Sequence, residues 1–479
     1  MYNNKQSVMF MTLLAPMFLG ACSVTPSITR PSATKITAYT RGSEVVSLDQ
    51  RIQLGKKISS DWWQLFNSKP LNSMIHLAIQ NNYDLKAATE TMEQAQEAAN
   101  AASGGLMPQL SLNALAGRQR YGVALFGPSN FSVPPFSYYE IGPAISWTPD
   151  LFGMQHHAVD RQEALAAYQA HRFEAAYLSL TGNVVEAALE IASVNDELVS
   201  AKQIIATDER ALSLVEETFK VGTAAQVDVN NARGKLLADR SILPSLEDRL
   251  SNSRHALSIL VGKAPSEWMP PKLDLGSFVL PKDLPLSLPS VLVKNRPDIQ
   301  AAQANLDAAR AELGMASAAL YPNITLSANM LQEALTPAGV FRGVAKAWAM
   351  AAGISAPLYD GGTLSAEKRG AEHAYKAALA TYHQTILNAF GDVADALTSL
   401  ADDDDKVKIQ SEAADAASSS MHIALDKYKV GEIGLIQVQE AQRNYAQAQL
   451  RLIQSRHQQL LDYARLLLAL GGTHPIRSA

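Results

Sequence analysis

Leu106-Met107-Pro108-Gln109-Leu110-Ser111-Leu112 recurs as Leu320-Tyr321-Pro322-Asn323-Ile324-Thr325-Leu326, 214 positions further along the chain. At the same offset Asn82-Tyr83-Asp84-Leu85 returns as Arg296-Pro297-Asp298-Ile299. Phe219-Lys220-Val221-Gly222 returns as Tyr428-Lys429-Val430-Gly431, here 209 positions on. Both copies close on a leucine-rich helix end with glycine and proline, Leu260-Val261-Gly262 with Pro265 and Leu470-Gly471-Gly472 with Pro475. Three anchors in one order at nearly constant spacing mark two tandem copies of a single unit. The copies span 61–265 and 288–475, joined by a Pro-rich linker at 266–287.

Each copy has the same plan. A helix of about 30 residues is expected from near Leu71 or Leu288 to just before Pro108 or Pro322. The pattern then switches to alternation, with Leu110, Leu112 and Ala114 in one copy and Ile324, Leu326 and Ala328 in the other. Loops rich in Gly and Pro follow at 121–137 and 334–343. A second alternating stretch ends at Ile145-Ser146-Trp147 or Ile354-Ser355-Ala356. This is the signature of a β-hairpin, at about 109–148 and about 323–357. Next come runs with almost no Gly or Pro, 154–220 and 363–430. At 1.5 Å rise per residue each would reach about 100 Å, more than a globular domain needs. A turn at Val221-Gly222-Thr223 or Val430-Gly431-Glu432 sends the chain back.

The returning helix carries a seam of three- and four-residue steps, Val229, Ala232, Leu236, Leu243, Leu246, Leu250, Leu257 and Leu260. Such a stripe packs against a neighbouring helix. Val438, Ala441, Tyr445, Ala448 and Leu452 repeat it before a phase slip to Leu460, Tyr463, Leu467 and Leu470. Pro244 is expected to bend the first returning helix.

Strands of about ten residues suit a tilted membrane crossing. Backbone groups in lipid must all be paired, so such strands need a closed barrel, and four per chain are too few. Three chains would supply twelve. The expected fold is therefore mainly α with transmembrane β, built from two repeats, with strands that close into a barrel only when chains combine. Tyr138, Tyr139 and Trp147 sit where an aromatic girdle would form, though core positions explain them equally well. A bundle of long helices with no channel is the bland alternative.

Composition agrees with long helices. Hydrophobic residues are 47% and aromatics only 7%, so the apolar share leans on Ala, Leu and Val. A net charge of −5 gives no reason to expect a nucleic-acid partner. No GxSxG, Walker loop, HExxH or dinucleotide fingerprint is present, so nothing supports an enzyme, a catalytic residue or a cofactor. The run Asp402–Asp405 lacks calcium-loop spacing and reads as a solvated helix face or break. His156-His157 lacks partners at metal-ligand spacing and reads as a surface pair, so no metal is expected.

At the start, Lys5 precedes an apolar stretch from Val8 to Leu19, then Leu19-Gly20-Ala21-Cys22. These are the parts of a secretory signal over residues 1–21. Cys22 is the only cysteine, so no intramolecular disulfide can form. The order Leu-Gly-Ala-Cys resembles the bacterial lipobox, which implies acylation of Cys22 and a polar tether over 22–60. Ser23 resembles the sorting pattern for the outer membrane.

From Asp61 onward the chain resembles the TolC-like outer-membrane efflux proteins, the NodT-type lipoprotein branch in particular. The resemblance rests on Asp61-Trp62-Trp63 with Phe66, Asn82-Tyr83-Asp84-Leu85, Leu106-Met107-Pro108 and Trp147-Thr148-Pro149-Asp150-Leu151-Phe152-Gly153. In the second copy it rests on Asn295-Arg296-Pro297-Asp298-Ile299, Tyr321-Pro322, Pro357-Leu358-Tyr359-Asp360-Gly361-Gly362 and Tyr428-Lys429-Val430-Gly431. It implies a homotrimer with a twelve-stranded outer-membrane barrel and a tapering helical barrel in the periplasm. It also implies docking onto a periplasmic adaptor and an inner-membrane pump of the resistance–nodulation–division (RND) class. The duct would conduct small amphipathic compounds such as drugs. A duct for type I protein secretion is the alternative within the family.

The resemblance also implies where a resting duct would close, just after the second Tyr-x-x-Gly. Those positions are Tyr428, Ile436, Gln437 and Glu440. Threefold symmetry would make Glu440 a ring of carboxylates, attracting cations, and Ile436 an apolar constriction. Gln437 departs from members that carry a carboxylate there. Solvated or packing roles on a helix turn remain open for all four. The tips, Val221, Gly222 and Thr223 with Val430, Gly431 and Glu432, are the expected adaptor contacts, although a helix C-cap alone explains both glycines.

Overall fold

Alternation and helical periodicity divide the chain as the repeats require. The computed structural model describes residues 51–54, 59–120, 134–281, 283–286 and 289–471. Cys22, the signal segment, most of the tether, the first hairpin loop and Pro475 lie outside the described residues. A short strand, β1 (Arg51–Leu54), precedes a 3-10 turn at Trp62–Phe66. The first copy then runs α1 (Lys69–Asn81), α2 (Tyr83–Gly104), β2 (Gln109–Gln119), β3 (Phe136–Trp147), α3 (Met154–Lys220), α4 (Gln226–Arg240) and α5 (Ile242–Leu260). After β4 (Asp283–Leu286) the second copy runs α6 (Pro289–Asn295), α7 (Pro297–Ala318), β5 (Asn323–Ala334), β6 (Lys346–Ser355), α8 (Thr363–Lys429) and α9 (Leu435–Ala469). Helices α3 and α8 are each 67 residues long and unbroken.

One expectation needs correction. The opening helix of each copy is two helices. Asn82 leaves the helical region, and its Oδ1 accepts the Leu85 N–H at 2.9 Å, which starts α2. In the second copy Pro297 starts α7, and a proline disfavours helical geometry in the residue before it. The returning helix of the first copy is interrupted by Pro244 as expected, the break falling at Ser241. A proline ring collides with the carbonyl four residues back, and that residue is Arg240, the last of α4. Helix α9 contains no proline and runs on for 35 residues.

The linker between the copies is held against α3. Leu273, Leu275 and Phe278 are buried. Asn195 Nδ2 donates to the Leu273 carbonyl at 2.8 Å, and the Leu275 N–H donates to Asp196 Oδ2 at 3.1 Å. Beyond it β4 pairs in parallel with β1, a strand inside the expected tether. Alternation over four residues is too short to read as a strand without its partner.

Contacts divide the chain into two compact units. One holds Glu93–Tyr168 and Gln303–Thr381, including both hairpins. These form one sheet in the order β2-β3-β5-β6, antiparallel throughout. Within this unit Phe152 and Tyr321, one from each copy, stack with ring centroids 5.0 Å apart. Among the described residues, the other unit holds those up to Met92, Gln169–Ala302 and those from Tyr382 onward. Its core is built on Trp62, Trp63 and Phe66, all fully buried. Phe66 meets Tyr463 edge-on at 5.5 Å, and Trp62 Nε1 donates to Thr181 Oγ1 at 3.3 Å. Leu71 and Ile75 of α1, Val184, Val185 and Leu189 of α3, and Leu466 and Leu467 of α9 complete it. Each such side chain contributes about 1.5–3 kcal/mol of burial. The seam also packs as its spacing predicts, with Val229, Ala232, Leu236, Leu246, Leu250 and Leu257 buried.

Candidate functional site

The register sorts the sheet into two faces, because successive side chains point to opposite sides. One row reads Leu110, Ile145, Ala328, Met350 across the four strands, and a neighbouring row reads Trp147, Leu326, Ala352. The intervening row, Gln109, Ser146, Ser327, Ala351, points the other way, as does Ser111, Ala144, Asn329, Ala349. One face is therefore mainly apolar and the other mainly polar or small, with Leu115 and Leu331 among its large apolar members. The apolar face is open: Leu110 is 75% exposed, Leu112 72%, Trp348 76% and Met350 78%. Among the described residues no helix is long and apolar enough to cross a membrane. The sheet is thus an amphipathic surface with its apolar side uncovered.

The aromatics divide between those faces. Tyr139 and Trp147 share the apolar side, and Trp147 Nε1 donates to the Leu106 carbonyl at 3.0 Å. Tyr138 takes the polar side and lies over its cross-strand partner Gly117. Trp348, on the apolar face, was not singled out from the sequence, although the alternation of β6 gives the signal. The outer strands β2 and β6 have no partner on their far edges among the described residues.

Both helix reversals are built alike. Gly222 and Gly431 take φ of +82° and +77°, a region that a side chain disfavours and glycine does not. The N–H of the next residue reaches back five positions, Thr223 to the Thr218 carbonyl at 3.0 Å and Glu432 to the Lys427 carbonyl at 2.9 Å. Val221 and Val430 are left exposed. The side chains differ. Glu432 pairs with Lys427 at 2.8 Å, whereas Asp228 Oδ2 accepts the Ala225 N–H at 3.0 Å at the start of α4.

Of the four positions after the second turn, Tyr428 is half-buried while Ile436, Gln437 and Glu440 are exposed. Leu435 packs inward against Val215, Val229 and Ala232, and Val438 is buried. Helical spacing thus leaves Ile436, Gln437 and Glu440 on the free side of α9. Glu440 lies 3.7 Å from Arg443, one turn on. Sequence reading missed Arg443, for which the three-residue spacing was the available signal.

Two other readings need correction. The Asp402–Asp405 run is not simply a solvated face, because only Asp402 and Asp405 are exposed. Asp403 is 2% exposed and lies within hydrogen-bonding reach of Asp462, and Gln459 Nε2 donates to Asp404 Oδ1. A four-residue acidic run turns more than one side of a helix, so one member must face the neighbouring helix. His156-His157 is not a surface pair either. His156 is exposed beside Asp150, but His157 is largely covered and lies over Gly314, where a Cβ would come within 2.6 Å of the ring. Backbone and side-chain hydrogen bonds from His156 outweigh the cost of burying the Asp150 carboxyl and hold its pKa below the usual value.

The family model described as outer membrane efflux protein matches residues 74–263 and again 288–472. The chain belongs to the outer membrane efflux protein family. It is 29% identical over 469 residues to the pyoverdine export outer membrane protein OpmQ of Pseudomonas aeruginosa, covering 96% of this chain and 95% of that one. It is 26% identical to a probable outer membrane lipoprotein, SilC, of Salmonella typhimurium, covering 86% of this chain and 87% of that one. Among solved structures the fold matches the outer-membrane channel OprN with a TM-score of 0.86 at 24% identity, covering 94% of this chain and 99% of that one. The CmeC outer membrane channel of Campylobacter jejuni matches with the same TM-score, at 22% identity, over 94% of this chain and 95% of that one. The family and these relatives are transport proteins.

Proposed function

We propose that this efflux-family chain is the outer-membrane exit duct of a tripartite RND-type system, passively conducting small amphipathic compounds. The observation that carries the reading is the four-stranded sheet with a mainly apolar face, a mainly polar face and two edges unpaired among the described residues. In lipid its apolar face is favourable and its edges are not, so it requires closure by further copies. Three copies give a twelve-stranded barrel with the polar face toward the lumen. Cys22 carries the acyl anchor, which would hold the chain to the membrane that the barrel crosses. The exposed reversals at Val221-Gly222-Thr223 and Val430-Gly431-Glu432 meet the periplasmic adaptor.

Tyr428, Ile436, Gln437 and Glu440 form the resting closure. Three-fold symmetry sets the Glu440 carboxylates in a ring, with Arg443 a turn away on each chain. Single-channel conductance in planar bilayers tests this. Glu440→Ala leaves the arginines unbalanced, so the resting channel loses its cation preference and its conductance changes. A variant with wild-type conductance and selectivity would remove Glu440 from the gate. Trimers that never conduct, with or without that substitution, would count against a duct altogether.

A further inference from the structure

Each helix hairpin of this chain contains two carboxyls that face one another across its helices. In the first, Asp208 of α3 lies within hydrogen-bonding reach of Asp239 of α4. In the second, Asp403 of α8 lies within reach of Asp462 of α9. Asp208 and Asp403 are buried, at 3% and 2% exposure, and in each the Oδ2 atom is enclosed with no hydrogen-bond donor. The neighbouring carboxylate supplies only acceptors, so two ionised partners would leave lone pairs facing lone pairs in a poorly solvated site.

The cations present occupy other oxygens. Lys235 of α4 bonds Asp208 through Oδ1 and lies 3.6 Å from Asp239. The space beside Asp208 is also lined by Asp196 and Arg210 of α3 and by Gln442 and Tyr445 of α9. Around the second pair, Lys406 of α8 lies 3.5 Å from Asp403 Oδ1. On α9, Arg465 bonds Asp462 at 2.9 Å and Gln458 donates to it at 2.9 Å. Asp404 is taken by Gln459. None of these fills the enclosed Oδ2 atoms. A proton would, by turning one carboxyl of each pair into a donor.

We propose that each hairpin is fastened by one proton, shared between a buried carboxyl on its outgoing helix and a carboxyl on its returning helix. The chemistry is that of two carboxyls too close to ionise together. Burial, then the facing carboxyl, pushes both Asp208 and Asp403 up to about 6, against the attraction of Lys235 and Lys406. A carboxyl raised in the folded state binds its proton more tightly there than in the unfolded chain. The stabilisation is therefore fully present below the ordinary carboxylate range and is lost as pH rises through about 6. Both hairpins tighten in mild acid and loosen toward neutrality. The two pairs do not occupy equivalent positions in the repeats.

On the duct reading the second pair fastens the stem of the hairpin that carries Glu440. The test concerns proton binding and stability, so its failure would leave that reading standing. Full-length protein in detergent is titrated by infrared difference spectroscopy while its thermal unfolding is followed over the same pH range. Asp239→Asn and Asp403→Asn keep the Asp208–Lys235 and Asp462–Arg465 pairs, and their amides donate the hydrogen bond at every pH. The wild type is expected to show protonated-carboxyl absorption that disappears around pH 6, about half of it lost in each variant and all in the double variant. Its heat stability should fall from mild acid to neutrality, whereas the double variant's should stay flat and match or exceed the wild type at neutral pH. Asp403→Ala, which removes the donor, should be weaker throughout. The proposal is overturned if no absorption titrates near pH 6, or if the Asn variants retain the wild-type gain in acid.

Discussion

Asn82 and Arg296 occupy the same place in the two copies, and both donate to the end of the returning helix. Asn82 Nδ2 bonds the Leu260 carbonyl at 3.0 Å, and Arg296 Nη1 bonds the Ala469 carbonyl at 3.2 Å. The last carbonyls of a helix lack partners within it, so each repeat closes by satisfying one from its own beginning. Arg296 does more than Asn82. It also bonds Asp298 in a bidentate pair, at 3.0 and 2.8 Å, and Asp392 of α8 at 2.9 Å. These bonds outweigh the cost of burying the guanidinium and raise its pKa further, so it is charged at any working pH. Arg296→Ala should destabilise the protein by about 1–3 kcal/mol, through the lost bonds and the exposed ends they covered. Asn82→Ala, which removes one such bond and a helix cap, should cost about 1 kcal/mol. Thermal unfolding with hydrogen exchange over the last turn of α9 would show it, and an Arg296→Ala protein as stable as the wild type would refute the latch. The motif was visible in the sequence as a repeat. Its task was not, because the carbonyl it bonds lies 173 positions away and carries no side-chain signature.

At the scale of elements, alternation carries more information than composition. A period of two tells which residues share a face, so the apolar side of the sheet was legible from Leu110, Leu112, Ile324 and Leu326 alone. It also forces Tyr138 and Tyr139 apart, which a girdle made of both would not allow. Breaks in helices were less legible. The apolar seam continues through Ser241, and only the carbonyl-to-ring collision set by Pro244 stops the backbone there. The faces of β2 give a paired prediction. Leu112→Arg places a charge on the apolar face and should cost about 2–4 kcal/mol if that face meets the bilayer midplane. Asn113→Arg, one residue on but on the polar face, should be tolerated in assembly and should alter ion selectivity instead. Yield of folded trimer in outer-membrane fractions reports the first effect and bilayer conductance the second. Equal loss of assembly in both variants would show that the two faces are not distinguished by lipid.

For the whole molecule the decisive feature is what a single chain leaves unfinished. Strands β2 and β6 bound a sheet whose backbone groups on both far edges are unpaired among the described residues. An open edge in water invites aggregation, and in lipid each orphaned group costs several kcal/mol, so on the proposed duct reading β6 of one chain pairs with β2 of the next. Because β2 and β6 are different strands, the contact is head-to-tail, and such contacts make either a ring or an endless filament. One chain's four strands fall below the smallest barrels, and the proposed closure at three gives twelve, an even number within their range. Cysteines introduced along β2, at Ser111 and Asn113, and along β6, at Ala349 and Ala351, lie on the polar face, away from lipid. Paired one from each strand, they should cross-link between chains. Oxidation should yield covalent dimers and trimers, ending at the trimer, with no cross-link in proteins carrying only one of the two. A ladder continuing beyond three would mean an open assembly. No inter-chain bond at any register would mean that the edges are covered by something other than a second copy.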